Sequence, residues 1–114
     1  MAITEAYSGT ETVGATEWSM TTDTSGPDAT AAAGCFQAFV ELNALAAGDV
    51  FEFRAYEKTL SSSTQRRFMT AVFAGVQGEA VWVSPSFMLI NGWDFTLIKI
   101  SGTDRAINWS IRKA

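Results

Sequence analysis

Histidine is absent from this 114-residue sequence, and with it goes the commonest general base and metal ligand. A Ser-His-Asp triad and a Cys-His pair are both excluded. Cysteine occurs once, at Cys35, so no intrachain disulfide framework exists. Within "GCFQAFVEL" this thiol reads as a small buried hydrophobe on a strand. No apolar run approaches the length that spans a membrane, which argues against a membrane partner. Basic residues are few, 8 Lys and Arg against 12 Asp and Glu, giving a net charge of −4. They are scattered apart from Arg66-Arg67 and Arg112-Lys113, which read as solvated strand ends. Nucleic acid is therefore not an expected partner, because phosphate contacts come from clustered Lys and Arg. The opening "MAITEAYSG" lacks the basic and apolar regions of a signal peptide, so the expectation is a protein used without export.

What is present is apolar and aromatic. Hydrophobic residues make up 47% of the chain and charged residues 18%, with eight Phe, four Trp and two Tyr, a composition able to build one core. The length fits a single domain over residues 1–114. Period-two alternation runs through Phe36, Ala38, Val40 and Leu42, then Phe51, Phe53 and Ala55, then Ile107, Trp109 and Ile111. Trp93, Phe95 and Leu97 share another such face. The pattern predicts strands near 35–42, 50–58, 66–74, 80–83, 86–90, 93–100 and 105–113, with an eighth around "TEWSMTT". Asn91-Gly92 and Ser101–Asp104 read as turns, and residues 93–113 as a closing β-hairpin with Trp109 in the core. Pro85 marks a bend or an edge. The segment 66–74 is apolar on both faces, as a central strand or a subunit-facing one would be. Leu45 is expected to tuck inward beside the Gly48-Asp49 turn.

Two stretches lack this rhythm. Residues 1–14 are polar with few anchors and read as an arm or an edge strand, and residues 20–34 as a long surface loop. The fold class that follows is all-β, a single β-sandwich or jelly-roll-like barrel of about eight short antiparallel strands.

The sequence carries few groups able to do chemistry. Glu52, Glu57, Asp94 and Asp104 are the carboxylates able to form an acid–base pair of the kind a glycosidase needs. Glu52 sits on a wet strand face and Asp104 in a turn, so the expectation is no enzyme, no catalytic residue, no metal and no cofactor. The Asp residues of "TTDTSGPDAT" lack calcium-loop spacing.

The stretches "EWSMTTDT", "LAAGDVFEFRAYEK" and "WVSPSFMLINGWDFTLIKISGTDRAINWSIRKA" resemble the small β-sandwich decoration, or cement, proteins of tailed-phage heads. That resemblance implies a virion structural protein made in the host cytoplasm. It would bind the major capsid protein on the outer capsid surface, as a homotrimer, and reinforce capsomer joints. It implies no functional residue. The alternative is a carbohydrate- or receptor-binding β-sandwich of a tail fibre or baseplate, with Trp18, Trp82 and Trp93 as an aromatic platform.

Overall fold

Alternation of apolar and polar side chains is realised as strand along most of the chain. The computed structural model, which describes residues 2–114, holds ten strands in chain order. They are β1 (Thr4–Val13), β2 (Trp18–Ser19), β3 (Thr24–Ser25), β4 (Gly34–Glu41), β5 (Val50–Glu57), β6 (Arg66–Ala74), β7 (Val81–Val83), β8 (Phe87–Leu89), β9 (Asp94–Ser101) and β10 (Arg105–Lys113). The first sheet runs β1-β10-β4, with β7 and β8 both on the far side of β4; the second runs β3-β2-β9-β5-β6. Every ladder is antiparallel. The two sheets pack face to face as a β-sandwich, and the jelly-roll-like closed barrel is not formed.

The core lies between the sheets and is made by the expected faces. Phe36, Ala38 and Val40 of β4, Phe51, Phe53 and Ala55 of β5, Phe95 and Leu97 of β9, and Ile107, Trp109 and Ile111 of β10 are all buried, as are Leu42 and Leu45. Aromatic rings lock the layers together. Trp93 lies 4.4 Å from Phe36 and 5.1 Å from Phe95, and Phe53 lies 4.9 Å from Trp82. Such tilted pairs add about 0.5–1.5 kcal/mol each beyond area burial.

The break at Pro85 has a specific remedy. Ser84 is buried; its hydroxyl accepts the Ala38 N–H and donates to the Pro85 carbonyl, while its own N–H reaches the Ala38 carbonyl. A serine side chain thus replaces the ladder bond where β7 gives way to β8. At Gly9 a Cβ would stand 2.6 Å from Cζ2 of Trp109, so the indole requires a glycine on the neighbouring strand.

Three expectations need correction, and for two others the structure decides against one of the readings the sequence left open. Residues 93–113 are not a hairpin: β9 belongs to the second sheet and β10 to the first, so the 102–104 turn carries the chain across the core. Two strands facing each other across a sandwich show the same alternation as two strands side by side, which is why the pattern misleads. The segment 66–74 is a strand as expected but an edge strand, with Phe68, Thr70 and Val72 exposed, so the central reading is excluded and the subunit-facing one is not. Of the two readings of residues 1–14, arm or edge strand, the edge strand is formed: β1 ends the first sheet and pairs with β10 from Thr4 to Val13, Val13 is buried and Tyr7 packs on the core. Removing residues 4–13 strips one edge of the first sheet. The 20–34 segment is not merely a surface loop, because Met20 is buried and Thr30 bridges to Trp93. Cys35 is half-buried on the outer face, opposite Met88, because Phe36 takes the inward position beside it.

Candidate functional site

The four carboxylates singled out in the sequence are held apart, and no two share a hydrogen-bond partner. Glu52 pairs with Arg54 at 2.9 Å on the outer face of the second sheet. Glu57 accepts the backbone N–H groups of Ile90 and Asn91, fixing the turn before Trp93. Asp104 meets Lys99 at 2.6 Å in the exposed turn between β9 and β10. Asp94 is fully buried and accepts from the Thr21 hydroxyl and from the N–H groups of Asp28 and Phe95. Burial pushes its carboxyl above the ordinary carboxylate range, against the pull of those hydrogen bonds. Each carboxylate works as a fastener for backbone or for a neighbouring cation.

Two further carboxylates were not legible. Glu17 accepts hydrogen bonds from the Tyr56 and Thr96 hydroxyls and from Arg54 at 3.2 Å, clamping the approach to β2 onto β5 and β9. Burial, then the Glu17 carboxylate, raises the Tyr56 phenol above its usual value. These contacts bridge 37 to 79 residues of sequence, so no local spacing announces them.

Asp49 is the second. Its carboxylate accepts from Arg105 Nε at 2.7 Å, from the Ala46 N–H at 2.8 Å and from the Thr103 N–H at 3.0 Å. Gly102 lies against it with φ of 93°, in the left-handed region, and a Cβ there would stand 2.3 Å from Oδ1. The Arg105 hydrogen bond, followed by those from Ala46 and Thr103, holds the Asp49 carboxyl at about 2 against an ordinary 3.8. A depressed folded-state value means the stabilisation is complete above the ordinary value and is lost as pH falls toward about 2. Asp94, shifted the other way, gains from protonation as pH falls. The denaturation midpoint of Asp49→Asn should therefore lie below that of the parent at pH 6 and converge on it near pH 2. A constant gap between the two curves would show that the Asp49 charge does not matter.

The tryptophans form no platform. Trp93 is fully buried, with Nε1–H donating to the Ala32 carbonyl at 2.7 Å. Trp82 is half-buried between Phe53 and Phe73, and Trp18 is half-buried with its Nε1–H on Asp23.

What the surface does present is apolar. On the outer face of the first sheet, Phe39 sits opposite Val83 and Cys35 opposite Met88, with Val81 next to them across from Glu41. Met88 is 88% exposed, Val81 48% and Val83 43%, and the Arg112 guanidinium lies 3.7 Å over the Phe39 ring. Ile90, 62% exposed, extends this strip past β8. The strip escaped the sequence reading because β7 and β8 are too short for alternation to state which face is wet. Among the described residues no three His, Cys, Asp or Glu side chains converge as a metal site. No family model, curated protein or solved structure matches the chain.

Proposed function

We propose that this chain is a virion structural protein that decorates the outer capsid surface and stabilises capsomer joints, docking through the apolar strip on the first sheet. The observation that carries the contact role is that strip: Val81, Val83, Met88 and Ile90 exposed together on one side, rimmed by Glu41 and Arg112. Contiguous exposed apolar side chains of this kind mark association surfaces, and a polar rim sets their register. The identity of the partner, the major capsid protein, rests on the resemblance of residues 17–24, 45–58 and 82–114 to head decoration proteins. A shell offers the same contact many times, so modest affinity per site suffices for the shell to be coated. Homotrimeric assembly belongs to the same reading. No observation favours the sugar-binding alternative, since its three tryptophans are packed into the fold.

The test is co-sedimentation with expanded phage capsids stripped of decoration. The wild-type chain should saturate the shell. The pair Val83→Asp and Met88→Asp, both at exposed positions, should weaken binding at least tenfold while the circular dichroism spectrum is unchanged. A folded wild-type protein that leaves such capsids bare overturns the reading.

A further inference from the structure

Two long strands end their sheets with one side unpaired. In the first sheet it is β1, ten residues; in the second it is β6, nine residues. Unpaired strand edges of this length recruit another strand unless charge, proline or a covering segment blunts them. Neither is blunted along its middle: bulges fall at Ala6 and Phe68, and beyond them Tyr7–Thr10 and Met69–Ala74 contain no charged residue, no proline and no bulge. Val72 is 59% exposed and Phe68 48% exposed on β6, a further cost of leaving that edge in water.

The two edges lie on opposite sides of the sandwich. Contacts of Phe53 and Phe73 with Trp82, and of Phe68 with Phe87, set β7 and β8 over β5 and β6. At the other side β1 approaches β9, and the Lys99 N–H reaches the Gly14 carbonyl just past β1. One chain therefore cannot join its own β1 to its own β6.

Their charges are opposite and unspent. The charged residues of β1 are Glu5 and Glu11, and those of β6 are Arg66 and Arg67. Among the described residues none of the four has an ion-pair partner. In the antiparallel sense, β1 against a second β1 sets Glu5 against Glu11, and β6 against a second β6 leaves its arginines at opposite ends without partners, whereas β1 against β6 sets Glu against Arg. We propose that copies of this chain join head to tail, the free edge of β1 on one copy pairing with the free edge of β6 on the next. Antiparallel alignment, the sense of every ladder within the molecule, brings Glu11 to Arg67. Because the two edges face opposite ways, the contact is heterologous and propagates around a ring or along a filament. It names the surface of the self-association in the decoration reading, on which it rests in that respect alone; the capsid plays no part in it.

The experiment uses the free protein, without capsids, in sedimentation velocity over a concentration series at low and high salt. The wild-type mass should rise above the 12.3 kDa of one chain with concentration, and the rise should weaken in salt. Arg66→Glu with Arg67→Glu, and separately Glu11→Lys, should each weaken association at least tenfold. An equimolar mixture of the two variants should restore it, because each then offers a complementary edge to the other. Glu11→Gln serves as the second β1 variant if Glu11→Lys fails to fold, and should weaken association and flatten its salt dependence. A wild type that stays monomeric at every concentration overturns the proposal. So does association lost through the arginine changes alone, or a mixture of folded variants that does not reassemble. Failure here leaves the capsid titration to judge the decoration reading by itself.

Discussion

Trp109→Ala is expected to remove about 3–5 kcal/mol of folding stability, the usual cost of truncating a buried large aromatic. The residue is 4% exposed, on β10 between the fully buried Ile107 and Ile111. Its ring lies across the cleft left by Gly9 on β1, and it pairs in register with Val40 on the opposite neighbour β4. Its Nε1–H donates to the Met20 carbonyl at 3.0 Å, tying the first sheet to the turn after β2. Alanine removes the ring and orphans that carbonyl, and the glycine opposite cannot fill the space. Small domains hold about 5–15 kcal/mol in total, so the variant sits near the unfolding threshold. Urea denaturation followed by tyrosine fluorescence and circular dichroism measures the effect. A midpoint equal to that of the parent would mean Trp109 is not the core residue described.

Asp94→Ala is the second large effect, expected at about 3 kcal/mol from the loss of one buried acceptor that serves several donors. The Thr21 hydroxyl and the N–H groups of Asp28 and Phe95 all point at this carboxylate. Thr21 in turn bonds Thr30, and Gln65 Nε2–H reaches the Asp28 carbonyl from the residue just before β6. Removing Asp94 therefore releases the 20–30 segment from the outer face of β9 and wets Thr96 beneath it. Hydrogen exchange should quicken at Asp28 and Thr30 first, with the midpoint shift following. Asp94→Asn should fall between, because it keeps the volume but turns one acceptor into a donor facing the Asp28 N–H. Exchange unchanged across residues 20–30 would show that the segment is held by something other than Asp94.

These two residues mark what could be read without the fold. Trp109 was legible because alternation around Ile107 and Ile111 is a local property: a strand with one buried face must repeat every second residue. The same logic placed Phe36, Phe53, Phe95 and their neighbours inward, and put strand boundaries close to where they occur. Asp94 was legible only as a carboxylate. Its neighbours in sequence, Trp93 and Phe95, face the core, so alternation puts Asp94 on the outer face of β9. The 17–30 segment folding back over β9 buries it instead, and that is a long-range event with no signature in the strand itself.

By itself the sequence determined the class of fold, all-β with one core, because side-chain periodicity and turn residues act over a few positions. It also determined, through the missing histidines, which catalytic arrangements are out of reach. Only the tertiary structure decided which sheet each strand joins, and so turned an expected hairpin into a crossing between layers. It also decided that β1 and β6 are free edges on opposite sides, and that Val81, Val83 and Met88 share one exposed face. The physical reason is the same in each case: facing sheets bury identical patterns, so strand partnership is settled by contacts between residues far apart in the chain.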